Sequence, residues 1–514
     1  MDRQPPRPVH IWLISIAVCS LAIFLRLPSC YESLWLDELH SAWIISDGIG
    51  SVYQRSIIGH QSPCYYYVLW TWQELFGDSE LLLRLNSVLL VAGACGVLCF
   101  GITNWTKSLL AGLVSGLVLA SENNSIFFGT ELRPFALVMF FSSISAVLFL
   151  RLLASQTRHE NSFRWCCLLI TILFSTVCQP TCLGVLCWLP ACLCVVWFSR
   201  NPQQFLRING SDVVMISLIL ITSMLLWQMT LRQSWNEKSM WGSFATARNW
   251  QQLWYIWNWV WLLLIPSIPV SMTLFVDGIR KRQISGKPIL IGLGFLMAFT
   301  FLITGLYWCA SRLDFVPVWH RRYFIAVLPL FACFAGGCVG FLQNRMNRSR
   351  TSMIMNVVFT CLIITGLGID QGLLNKLRFY PVALAQRGED WREAKLWLEK
   401  HTQPESLILL DSGLIEGQSW ITPELFEKSN ENRLEYLCFP FRGPYNLNRP
   451  LVPVATNLRP VLAQTDRFKH VYTVTRDAPS RARRRVNGGK IKGFGRVSIV
   501  IPDEYVHTPV TSGK

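Results

Sequence analysis

Two adjacent carboxylates, Asp37 and Glu38, stand in the stretch SLWLDELHSAW (Ser33–Trp43), boxed in by Trp35, Leu36, Leu39 and Trp43. The stretch follows the first long apolar run of the chain. Acids beside a membrane span are costly to desolvate, so they belong at the water interface or against a polar cavity. A carboxylate so placed can take a proton from an attacking hydroxyl. With its neighbour it can also hold a divalent cation, although two clustered acids make a poor cage. The bland alternative is a helix start, where an acid satisfies free backbone N–H groups. That role accounts for one acid better than for two.

Further groups with chemistry follow. His60 and Pro63, in HQSPCYYY beside three tyrosines, suit a ligand-binding edge, with an ordinary exposed loop histidine as the alternative. Glu131 and Arg133, in ELRPF, can pair with each other at a membrane boundary. Arg321, Arg322 and Tyr323 abut an apolar run in WHRRY, where the arginines call for anionic company. A lipid phosphate suits them, with plain headgroup contact as the alternative. The expectation is one site, on one side of a membrane.

Elements able to position these residues are apolar helices. The 514-residue chain is 52% hydrophobic and only 15% charged, below the roughly one quarter usual in soluble proteins. Much of it therefore lives in lipid. The net charge of +16 comes without a compact basic domain bearing a nucleic-acid-binding motif. Its Lys and Arg instead suit cytoplasmic loops and anionic lipid, which argues against a nucleic-acid partner. The 17 cysteines contain no C-x-x-C pair, so no metal site is expected from them, and most lie in apolar runs.

Arg3 and Arg7 precede an apolar run from Val9 to Leu27 with no A-x-A cleavage site after it, so an uncleaved first span is expected. Further runs are Leu85–Ile102, Leu109–Phe128, Pro134–Leu150, Cys166–Cys178, Leu183–Phe198, Val213–Leu231, Leu253–Phe275, Ile289–Cys309, Phe324–Leu342 and Met353–Ile369. With the first they make about eleven spans. Basic residues at Lys107, Arg151, Arg200, Arg280 and Arg345 fall in alternate connections, as inner loops should. A cytoplasmic N-terminus then puts Asp37, Glu131, Arg133, Arg321 and Arg322 outside. Pro63–Phe76 is too short to span comfortably and suits an interfacial helix. If it crosses, Leu109–Phe128, interrupted by Glu122, Asn123 and Asn124, does not.

The character changes after Ile369. Trp391–Lys400 has an amphipathic helix pattern, and Ser406–Asp411, HVYTVT and GRVSIVIP read as strands. The expected architecture is a polytopic α-helical membrane protein with a small extracytoplasmic α/β domain. Residues 1–369 form the membrane module, with a catalytic first outer loop over 28–81, and residues 370–514 the α/β domain.

The order LWLDELHSAW, HQSPCYYYVLWTWQELFGDSELLLRLNSVL, GTELRPFAL, RRYFIAVLPL and EDWREAKLWL resembles the polyprenyl-phosphate-sugar-dependent membrane glycosyltransferases. Closest in pattern is the branch of protein O-mannosyltransferases and bacterial aminoarabinose transferases. The resemblance is best over Leu34–Leu150 and returns at Arg321 and Trp391. It implies that a sugar passes from a polyprenyl-phosphate carrier to a lipid, protein or polysaccharide acceptor outside the cytoplasm, with inversion and no certain cofactor. Asp37 matches the family's first-loop acid and Glu38 its neighbour. His60 and Pro63 match the histidine–proline edge, and Glu131 and Arg133 the E-x-R-x-Y element. Two positions depart: Phe135 replaces the aromatic hydroxyl, and Gln61-Ser62 stand where relatives carry a second proline or a lysine.

The chemistry fits independently. A leaving phosphate needs no proton donor, so cations such as Arg133 or Arg321 suffice on its side. The acceptor hydroxyl needs a base, and Asp37 is the candidate. A transporter or flippase of lipid-linked sugar is the rival, and would favour internal repeats and helices broken at the midplane. A membrane-anchored scaffold working through the tail is the other.

Overall fold

The structure is a computed structural model. It describes residues 6–155, 159–200, 245–280, 286–345, 350–414, 417, 431–454, 468, 470–485 and 489–501. The expected span Val213–Leu231 lies outside these residues. In chain order the main helices begin with α1 (Pro8–Arg26), α2 (Leu36–Ile45), α3 (Ile49–Ile58), α4 (Pro63–Phe76) and α5 (Glu80–Thr106). Then come α6 (Leu109–Ser121), α7 (Asn123–Phe128), α8 (Phe135–Ala154), α9 (His159–Cys178), α10 (Trp188–Arg200), α11 (Ile265–Ile279), α12 (Lys287–Arg312), α13 (Leu328–Arg345) and α14 (Arg350–Asp370). Helices α15 (Trp391–His401) and α16 (Glu431–Arg442) accompany strands β1 (Leu407–Asp411), β2 (Leu451–Pro453), β3 (Val471–Thr475), β4 (Lys490–Phe494) and β5 (Val497–Ile501).

The chain folds into two compact units. One comprises Met1–Cys30 and Arg84–Ala385, the other Tyr31–Leu83 and Gln386–Lys514. Thus the segment after the first span packs with the C-terminal segment, although hundreds of residues separate them in sequence.

The first unit is a bundle of apolar helices. Among the described residues, seven helical stretches are long and apolar enough to cross a membrane, with Leu109–Ser121, Phe163–Cys178 and Pro180–Val196 as shorter apolar ones. Helix α13 is its centre, buried from Leu328 to Leu342. It packs intimately on α6 because both present small residues. A Cβ at Gly336 would lie 2.4 Å from the Ala111 carbonyl oxygen, and Ser115 Oγ donates to the Ala332 carbonyl at 2.9 Å. Lipid tails are as apolar as side chains, so close backbone approach and polar contacts are what hold such helices together.

The expected interruption of Leu109–Phe128 is real. Glu122 leaves helical geometry (φ −69°, ψ 131°), and its Oε2 accepts the Ser125 N–H at 2.7 Å to cap α7. Arg26, fully buried at the end of α1, donates to the carbonyls of Ala22 and Ala120 at 3.0 Å and to Ser125 Oγ at 2.8 Å. The bond to Ala120 satisfies a carbonyl that the end of α6 leaves open. Arg321–Val327 forms a 3-10 turn kinked at Phe324 ahead of α13.

In the second unit a five-stranded sheet has the order β2-β1-β3-β5-β4. Strand β1 is parallel to β2 and β3, while β3–β5 and β5–β4 are antiparallel. The central LILLD of β1 is buried on both faces except at its end, as a parallel strand should be. Lysines at positions 490 and 492 keep the β4 edge exposed and charged, which discourages further pairing. Gly495 (φ +66°) makes the tight turn from β4 to β5. The sequence pattern located α15, β1, β3 and β5. Three-residue β2 and polar β4 carry too weak a pattern to read in advance.

Candidate functional site

The expected site residues divide between the units. Asp37, Glu38 and His60 belong to the second; Glu131, Arg133, Arg321, Arg322 and Tyr323 belong to the first.

In the second unit, Asp37 and Glu38 occupy the second and third positions of α2, after Trp35 as its N-cap. Their environments differ sharply. Glu38 is fully buried, and its Oε2 reaches back to accept the Trp35 N–H at 3.3 Å. That is the helix-start role, since an N-terminal N–H has no partner within the helix. Asp37 is only half-buried, one residue away. One acid therefore holds the turn, while the other keeps a half-buried side chain.

The chain before α2 is fastened from a distance. Leu34 N–H donates to Tyr445 Oη at 2.6 Å, and Ser33 Oγ to the same oxygen at 3.1 Å. Leu36 N–H donates to Glu389 Oε2 at 3.0 Å. Beneath α2, Arg55 is buried, paired with Glu435 at 2.8 Å and Asp47 at 3.2 Å, with its guanidinium 4.9 Å from the centre of the Trp43 ring.

His60 sits in the turn between α3 and α4 with φ +54°, a left-handed conformation unusual for a residue with a Cβ. Gly59 before it is required. A Cβ there would lie 1.9 Å from Nε2 of buried His40, whose ring also meets Tyr436 at 4.8 Å. Pro63 then starts α4, where its missing N–H costs nothing.

In the first unit, Glu131 and Arg133 are both buried in the connection from α7 to α8. The Glu131 carbonyl accepts Ser87 Oγ. Arg321 Nη1 donates to Asn124 Oδ1 at 3.2 Å and Nη2 to the Tyr255 carbonyl at 2.7 Å. Asn124 Nδ2 in turn donates to Glu122 Oε1 at 2.6 Å. So Glu122 and Asn124, visible in sequence only as a break in an apolar run, orient Arg321. Arg322 lies over Tyr323, 5.2 Å from guanidinium carbon to ring centre, and its N–H is capped by His320 Nδ1 at 3.4 Å. Sequence reasoning missed Arg26 and Arg84, both fully buried, since a lone arginine near a span end looks like an ordinary flank. Among the described residues, no group of three or more His, Cys, Asp or Glu side chains could hold a metal ion.

No protein-family model matches the chain, and no curated protein matches it. Solved structures do. ArnT from Cupriavidus metallidurans bound to undecaprenyl phosphate superposes with TM-score 0.52 at 13% identity, covering 95% of this chain and 97% of that one. The apo state of the same protein gives TM-score 0.50 at 13% identity with the same coverage. Likeness at this identity speaks to architecture over nearly the full length of both chains. The chain is thus a multi-pass, predominantly helical membrane protein with the fold of ArnT.

Proposed function

We propose that this protein is an inverting glycosyltransferase that takes a sugar from a polyprenyl-phosphate carrier and passes it to an acceptor hydroxyl. It works at the extracytoplasmic face of the cell membrane, with its N-terminus in the cytoplasm and its C-terminal domain outside. The acceptor O–H gives its proton to Asp37 as the oxygen bonds to the anomeric carbon. The bond from that carbon to the phosphate oxygen breaks, and polyprenyl phosphate leaves. Arg133 and Arg321 balance the charge gathering on the phosphate, with Arg322, Tyr323, Glu131 and His60 lining the donor's path. Glu38 holds the helix turn that presents Asp37.

The observation that carries this reading is the unlike pair. Glu38 is fully buried and accepts a backbone N–H, while Asp37 beside it is half-buried and keeps part of its surface open. A base must reach its proton before its strength matters. Support also comes from the shared fold with ArnT, which was captured with undecaprenyl phosphate.

The test is to incubate purified protein with radiolabelled undecaprenyl-phosphate sugars and an envelope extract as acceptor source. Label leaving the lipid supports transfer. Lipid carried intact across a vesicle membrane, with no label lost, would make the protein a flippase and overturn the proposal.

A further inference from the structure

We propose that Glu389 and Tyr445, from the C-terminal segment, are positioning residues for the Asp37 base, holding the backbone that leads into α2. The inference rests on the transferase reading above and gives the C-terminal domain a role within that reaction.

Glu389 lies 353 residues beyond Leu36 in sequence, yet its Oε2 accepts the Leu36 N–H at 3.0 Å. The same oxygen accepts the Trp391 indole N–H at 3.0 Å, and Oε1 accepts Arg476 Nε at 2.6 Å. Its side chain is fully buried. Three donors from three segments therefore converge on one carboxylate. Leu36 is the first residue of α2, and its N–H is one that the helix cannot satisfy itself. A distant side chain fills that place, one residue before Asp37.

Tyr445 repeats the arrangement two residues upstream. Its buried hydroxyl accepts from Leu34 N–H and Ser33 Oγ and donates to Glu80. Glu80 also pairs with Arg392, whose Nη2 donates to the Tyr31 carbonyl at 3.0 Å. Burial and the Glu80 carboxylate push the phenol up from its ordinary range, so it stays protonated and keeps this geometry. The backbone at Tyr31, Leu34 and Leu36 is thus held by side chains of the C-terminal segment, two of which, Tyr445 and Arg392, rest on Glu80. A base misplaced by about 1 Å can cost on the order of a hundredfold in rate, so such restraint bears on catalysis.

The experiment compares E389A with E389Q in the full-length protein. Glutamine keeps a carbonyl oxygen for the Leu36 and Trp391 N–H groups, while its NH2 replaces the oxygen that accepts from Arg476, removing the ion pair and setting donor against donor there. Three quantities are read: release of undecaprenyl phosphate from undecaprenyl-phosphate sugars, affinity for undecaprenyl phosphate itself, and hydrogen exchange of the Leu36 amide. E389A should lower kcat on the order of 10- to 100-fold, the cost of a buried donor left unpaired. Lipid affinity should hold, and Leu36 exchange should accelerate. E389Q should recover most of kcat and of the protection. Equal losses in the two variants would assign Glu389 to the ion pair alone and overturn the inference. If E389A does not accumulate, Y445F carries the same test through Leu34, with turnover within twofold of the native protein as the refuting result. D37N in the same assay separates the two claims. Near-normal turnover there sinks the base assignment, whereas an inactive D37N beside a fully active E389A sinks only the positioning role.

Discussion

Replacing Asp37 and Glu38 one at a time, by their own amides, is the sharpest test of how the pair divides its work. D37N keeps the shape of a half-buried side chain and removes its basicity. General-base catalysis is worth about 10²- to 10⁴-fold, so kcat should fall by that factor, equivalent to about 3–5 kcal/mol of barrier. E38Q acts differently. Glu38 is fully buried and accepts the Trp35 N–H at 3.3 Å, a long bond that an amide oxygen can still accept. At this bond the loss is the charge assistance, a difference of about 1 kcal/mol between charged and neutral acceptors, or roughly fivefold in rate if all of it reaches the transition state. The two variants should therefore differ at least tenfold in kcat, measured as release of undecaprenyl phosphate from the labelled donor. Both should insert into membranes and bind undecaprenyl phosphate as the native protein does. An E38Q loss equal to or greater than that of D37N would refute the reasoning, because the buried acid would then be the one meeting substrate.

Three other perturbations read the scaffold under the pair. G59A should lower the melting temperature, since the new methyl would sit 1.9 Å from Nε2 of buried His40. Overpacking of this kind costs about 1–3 kcal/mol, a drop of several degrees in a thermal melt in detergent. R55A should destabilise the second unit by about 2–3 kcal/mol, by leaving Glu435 without its buried partner; Glu435 is itself 39% exposed, which softens the cost, and exchange protection of α2 and α3 reports it. Alkaline pH should unfold the second unit early. Burial pushes the Cys438 thiol up to about 12 and raises the Tyr445 phenol further. Groups raised in the folded state stabilise it below their unfolded pKa values, about 8.5 for Cys and 10 for Tyr, and that stability is lost as pH climbs through the folded values. A melting temperature unchanged between pH 8 and pH 11 would contradict this.

Local pattern was enough for much of the architecture. Runs of apolar residues near the thickness of a bilayer marked the helices of the first unit, because hydrocarbon leaves the backbone no other partner than itself. The break at Glu122 was visible for the same reason: a charge and two amides end an apolar run. Period-3.6 spacing marked Trp391–His401, and alternation or continuous apolarity marked β1, β3 and β5. Asp37 stood out because its type and its place beside a span are both readable along the chain.

Tertiary structure decided what depends on burial and on distance across the sequence. Nothing in the adjacent letters of Asp37 and Glu38 says which is buried; that follows from the side of α2 that meets its neighbours. Nor could the roles of Glu389 and Tyr445 be read in advance, since their partners at Leu36 and Leu34 lie more than 350 residues away. A hydrogen bond across such a separation leaves no periodicity in the sequence. It exists only because folding brings the first-loop segment and the C-terminal sheet into one unit, where a buried N–H must find an acceptor wherever the chain supplies one.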